Sequence, residues 1–232
     1  MIGIIAAMPE EAAAFEKWME GTEKSTHAGL ELVTGRIGGA DVVLAVSGIG
    51  KVNGARCTQM LIDYFGASPI LTFGVAGGIA DGLDFGEVVI SEDAAAYHFE
   101  PDKTGFVPTD VPFQNRTVYP ADPALIACAE RAARRLKLKA RTGRVLTDDG
   151  VVADSRLKKA LKDKMGGACV EMEGAAVAQT AEASGVPWLI VRGISDLADE
   201  HMAGTYDNYY AGAIAAAAAT AVAVCLETAD NQ

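Results

Sequence analysis

The chain has 232 residues, half of them hydrophobic and 22% charged, which suits one α/β domain with a sizeable core and excludes a disordered chain. Its formal net charge of −11 argues against a nucleic-acid partner, and the basic runs at 131–144 and 156–164 read as solvated helix faces. Cys57, Cys128, Cys169 and Cys225 are far apart, and the three histidines form no His-Glu-x-x-His pair. Reduced thiols in a cytoplasmic protein, with no metal and no cofactor, are therefore expected.

Residues 2–7 are an apolar run that reads as a first buried strand. Pro9-Glu10-Glu11 then opens a helix with proline early and acids in the first turn. No basic region precedes the run, so it is not read as a signal peptide. Residues 30–35 and 41–46 read as strands joined at Gly38-Gly39. Ser47-Gly48-Ile49-Gly50-Lys51 follows, then an apolar helix to Phe65; the glycine spacing is not that of a P-loop. Residues 69–73 are a strand ending in Gly74-Val75-Ala76-Gly77-Gly78, which lacks a dinucleotide fingerprint but offers bare backbone to a flat ligand.

Residues 86–91 read as a strand and 95–117 as a long, functional or interfacial loop with four aromatics. An amphipathic helix is expected at 123–138, a strand at 143–146, a basic helix at 155–164 and a strand at 168–170. The helix 174–183 comes next. Val186-Pro187-Trp188-Leu189-Ile190-Val191 reads as a strand buried on both faces, delivering Arg192, Ser195 and Asp196 to a sheet edge. Residues 199–207 read as a loop. The alanine-rich stretch 211–226 reads as a packed terminal helix, short for a bilayer, so no membrane partner is expected. Alternating strands and helices give the expected fold: a single-domain three-layer α/β/α unit over residues 1–232 with a central mixed, mostly parallel sheet.

Glu11, Glu173 and Asp196 each stand where an apolar strand has just ended, and Arg192 joins them. Each carboxylate alone has a structural explanation as a helix cap or dipole partner. Together, beside an apolar pocket, they could set up one acid and one base at neutral pH.

Four segments carry a resemblance: Ile2-Gly3-Ile4-Ile5-Ala6-Ala7-Met8-x-x-Glu11, Ser47-Gly48-Ile49-Gly50-Lys51-Val52, Val170-Glu171-Met172-Glu173-Gly174-Ala175 and Val191-Arg192-Gly193-Ile194-Ser195-Asp196. They resemble the methylthioadenosine/S-adenosylhomocysteine nucleosidases of the nucleoside phosphorylase-I superfamily. The resemblance implies a nucleoside phosphorylase-like fold and cleavage of the N-glycosidic bond of an adenine nucleoside by water. It implies Asp196 as general acid at the purine N7 and Glu11 as the base that activates water. It places Glu173 and the Met172 backbone on the ribose hydroxyls, Arg192 beside Glu173, and Ser195 beside Asp196.

It further implies Val152 at the adenine edge, the glycine run with Ala76 and Gly77 at the site, and Met8, Ile49 and Tyr206 around an apolar 5′ tail. A homodimer is implied, with the loop 95–113 reaching a partner subunit. Phosphorylase relatives usually carry an arginine in the first strand–helix loop, where this chain has Met8-Pro9-Glu10-Glu11, so water is favoured over phosphate. Two positions depart from the family: Val151 stands where a phenylalanine stacks on adenine, and Val75 where a serine sits by the water. A futalosine-type nucleoside, a phosphorylase and a non-catalytic nucleoside-binding module are the alternatives. The acid pair Asp148-Asp149 has no counterpart in this reading.

Overall fold

The computed structural model describes residues 1–97 and 116–229. The chain runs β1 (Ile2–Ala6), α1 (Pro9–Glu16), β2 (Glu20–His27), β3 (Leu30–Ile37), β4 (Ala40–Val46), α2 (Lys51–Phe65), β5 (Ile70–Gly78) and β6 (Val88–Ala96). It continues β7 (Tyr119–Pro120), α3 (Pro123–Arg135), β8 (Ala140–Thr147), α4 (Ser155–Met165), β9 (Gly167–Glu171), α5 (Gly174–Ala183), β10 (Trp188–Asp196) and α6 (Met202–Ala229).

The strands form one mixed sheet in the order β10-β6-β8-β9-β5-β1-β4-β3-β2. The sheet is mixed as the sequence predicts, with parallel and antiparallel pairings in equal number among the described residues. Local patterning does not reveal its closure. β10 also pairs with β5, so β10, β6, β8, β9 and β5 join into a ring. One helical layer contains α2 and α5, packed on each other; the other contains α1, α3 and α6, with α6 lying on β10 and β5.

β1 and β10 are buried along their whole length, as the apolar residues of β1 and of 188–191 require of strands covered on both faces. Each fully buried Ile or Leu in them contributes roughly 1.5–3 kcal/mol. Phe15 of α1 stacks on Phe73 of β5 at 5.4 Å between ring centroids, fixing the first helix over the sheet.

Two local expectations are corrected, and one strand is additional. β2 is a strand although Glu20-Gly21-Thr22-Glu23-Lys24-Ser25-Thr26-His27 has almost no apolar residue; among the described residues it is an exposed edge paired through β3 alone, where charge is protective. The strand expected at 86–91 runs on to Ala96, so the start of the expected loop is strand. Residues 98–115 of that loop, with the expected partner contact, lie outside the described residues. Residues 202–207 are not loop but the first turns of α6.

That start makes α6 long and apolar enough to cross a membrane by length and composition, unlike the short stretch expected. More than half of its most apolar window is buried in the protein, chiefly on β10, β5 and α3, which accounts for the alanines. All four cysteines are buried free thiols. Several side chains of the two basic runs are ion-paired, Arg131 and Arg135 with Glu227 and Lys162 with Asp81.

Candidate active site

β1, β5 and β10 lie side by side and parallel, so residues following β1 and residues late in β5 and β10 reach the same region. β9 runs antiparallel to β5, with Val170 opposite Gly77, and its end therefore meets the last residues of β5. A cavity of about 310 Å³ opens there. All thirteen residues singled out in the sequence line it: Glu11, Asp196, Met8, Ile49, Ala76, Gly77, Val151, Val152, Met172, Glu173, Arg192, Ser195 and Tyr206.

Glu11 sits in the first turn of α1 and is 1% exposed. It is more than a dipole partner. Its Oε2 accepts the backbone N–H groups of Ala7 (2.9 Å) and Met8 (3.1 Å), and Oε1 accepts that of Val75 (3.1 Å). Burial pushes its pKa above the ordinary carboxylate value; Arg192 and the three N–H groups oppose that. A Cβ on Gly74 would collide with Glu11 Oε1 and Arg192 Nη1, so bare backbone is what lets this pair approach β5.

Arg192 is 1% exposed in the middle of the sheet, with Nη2 bonded to Glu171 and 3.4 Å from Glu173 Oε2. Burial opposes its charge, but Glu171, Glu173 and Glu11 outweigh it and hold the guanidinium cationic. Its Nε is a buried nitrogen with no hydrogen-bond partner among the described residues. Glu173 Oε1 accepts the Gly50 N–H at 2.8 Å. Burial, then repulsion from Glu171, pushes the Glu173 pKa up to about 7.

At the other end, β10 carries a bulge: Ile194 aligns with Ala76 and Asp196 with Gly77, leaving Ser195 extra. Strand alternation would turn adjacent side chains to opposite faces; the bulge lets Ser195 and Asp196 both line the cavity. Asp196 accepts Ser195 Oγ–H on Oδ2 and the Ala198 N–H on Oδ1, each at 2.9 Å. Burial raises its pKa, and those two hydrogen bonds only partly offset the effect. Asp196 thus caps a turn, as its structural explanation required, while still facing the cavity.

Residues 1–229 match the model of the phosphorylase superfamily. The methylthioadenosine/S-adenosylhomocysteine nucleosidase of Geobacillus kaustophilus is 38% identical over 208 residues, covering 89% of this chain and 88% of that protein. The chain belongs to this nucleosidase family. The Neisseria meningitidis nucleosidase structure, in complex with methylthio-immucillin-A, superposes with a TM-score of 0.93 at 31% identity, covering 97% of this chain and 98% of that one. Futalosine hydrolase of Helicobacter pylori shares the fold with a TM-score of 0.92 at 25% identity, covering 100% and 97%.

In this member of the family the side of the cavity lined by Met8 and Tyr206 is more organised than expected. Tyr206, placed in a loop by the sequence, lies on α6 one turn before Tyr210, with ring centroids 4.7 Å apart. The Tyr210 hydroxyl is 3.8 Å from Met8 Sδ. Met202, from the same misread segment, also lines the cavity, with Ala7, Val75, Gly150 and Val170.

Glu171 is the main omission. It is buried, and it accepts Thr147 Oγ–H, Arg192 Nη2–H and the N–H groups of Glu173 (3.1 Å) and Gly174 (2.8 Å). A signal existed: Glu171 ends β9 two residues before Glu173, inside the motif already singled out.

Proposed function

We propose that the chain hydrolyses the N-glycosidic bond of a purine nucleoside with a modified 5′ position, of the methylthioadenosine or S-adenosylhomocysteine type. One observation carries this: two carboxylates in contrasting surroundings on one cavity. Burial raises the pKa of both; at Glu11 a guanidinium and three N–H donors oppose that rise, and at Asp196 one hydroxyl and one N–H do. Such contrast separates base from acid.

In this mechanism Asp196, protonated, gives its proton to the purine N7, making the base a neutral leaving group. Glu11, ionised, takes a proton from water as the water oxygen bonds to the ribosyl carbon and the carbon–N9 bond breaks. Positive charge develops on the sugar, which the carboxylates around the site stabilise. Glu173 and the Met172 backbone hold the ribose hydroxyls; Arg192 and Glu171 hold Glu173. The Val152 backbone meets the base edge, and Met8, Ile49 and Tyr206 cover the 5′ tail. Activity falls in acid as Glu11 gains a proton and in alkali as Asp196 loses one.

Phosphate as acceptor fits less well. Arg192, the cation among the described lining residues, is already engaged by Glu171 and Glu173, and phosphate needs free cationic donors. One domain over residues 1–232, a cytoplasmic location and a homodimer complete the proposal. The test is to supply methylthioadenosine, S-adenosylhomocysteine and futalosine with and without phosphate and identify the released base. Free adenine without phosphate is expected; a strict phosphate requirement, or base release from futalosine alone, would overturn the assignment.

A further inference from the structure

The acid pair that the sequence leaves without a role closes onto the start of α2. Lys51 Nζ is bonded to Asp148 and lies 3.5 Å from Asp149 Oδ2. Asp149 Oδ1 accepts the Lys51 backbone N–H at 2.8 Å, so it also satisfies a free donor at the α2 N-terminus, where negative charge suits the dipole. Gly50 makes this close approach possible: its φ is +103°, and a Cβ there would lie 3.1 Å from Asp149 Oδ1. Partial burial draws the Lys51 ammonium down, but Asp148 and Asp149 outweigh it and hold the pKa above the ordinary lysine value.

Both segments joined by this contact serve the cavity. On one side, Ile49 lines it and Gly50 N–H holds Glu173 Oε1. On the other, Gly150, Val151 and Val152 line it from a stretch with no helix or strand of its own. Val152 is anchored in an apolar cluster with Leu146 and Val170, but Val151 is exposed, so the Gly150-Val151 stretch of irregular backbone depends on such tethers for its position.

We propose that Lys51, Asp148 and Asp149 are positioning residues, a latch that registers the 150–152 segment against Gly50 and so sets nucleoside affinity without touching the reacting atoms. The latch deepens the hydrolase assignment and rests on it for its kinetic readout. Lys51 and Asp148 are about a quarter exposed, so the pair is moderately screened. Loss of either is expected to raise KM for methylthioadenosine and the Kd for methylthio-immucillin-A about tenfold, as for one partly screened charge-assisted bond. With Glu11 and Asp196 held elsewhere, kcat stays within about twofold.

The experiment compares wild type, Lys51→Met, Asp148→Asn, the double variant and Lys51→Arg. Expected are a KM rise in each single variant, no further rise in the double and rescue by Lys51→Arg, all with Tm near wild type. Methylthioadenosine is uncharged, so salt acts on the latch: wild-type KM should climb between about 0.1 and about 1 M salt, as screening length falls from about 10 to about 3 Å, while Lys51→Met stays flat. Unchanged KM and Kd, or losses that follow Tm and kcat together, overturn the latch. If Lys51→Met does not fold, Asp148→Asn carries the same comparison. No base release by wild type sinks the hydrolase assignment instead, and the methylthio-immucillin-A Kd series then decides the latch.

Discussion

The floor and the rim of the cavity are built on different terms. On the floor, Glu11, Glu171, Glu173, Arg192 and Asp196 are 1–7% exposed, and each carboxylate is fixed by backbone N–H groups. At the rim, Val151 is 65% and Ile49 50% exposed, and the bonds that hold the surrounding segments join partly exposed side chains. The charged groups therefore sit where the sheet and helices immobilise them, and the exposed lining sits where substitution costs little. Four kinds of change sharpen that contrast.

The largest effects belong to the floor. Asp196→Asn and Glu11→Gln should each lower kcat by about 10²–10⁴-fold, the range for losing a general acid or base, with circular dichroism unchanged. Near-normal turnover in either variant would remove that residue from the mechanism. Arg192→Met should instead fail in stability. It strands Glu171 and Glu173 as buried, uncompensated acids, and a loss of about 3–5 kcal/mol in denaturant unfolding is expected.

A smaller effect follows from Glu173. Its pKa rises from an ordinary 4.5 to about 7, so the fold favours the protonated form. Its contribution to stability is complete below pH 4.5 and is lost as pH climbs through about 7. Glu173→Gln should therefore raise Tm relative to wild type more near pH 8 than near pH 5; an equal offset at both would refute the shift. The smallest effect is at the rim: Val151→Phe adds a ring face for the base and should lower KM about threefold with kcat unchanged.

The sequence exposed the floor well because an apolar run stops there at a charge, at the end of β9 for Val170-Glu171 and midway along β10 for Val191-Arg192. It exposed the rim poorly. Met202 and Tyr206 follow no apolar run long enough to announce a helix, since α6 begins before its alanines do. β2 was invisible because an edge strand needs polar residues on both faces. Glu171 was seen as part of a motif yet given no role, because what it does depends on Arg192, which approaches it only through tertiary pairing of the strands. Ring closure between β10 and β5 likewise leaves no local mark.

The most direct measurement is turnover of methylthioadenosine in ¹⁸O-labelled water without phosphate, followed by mass spectrometry of both products. Unlabelled free adenine and a methylthioribose carrying one ¹⁸O at the anomeric carbon are expected. A sugar 1-phosphate formed only on adding phosphate, or no release of base at all, would contradict the assignment of water as the acceptor and Glu11 as its base.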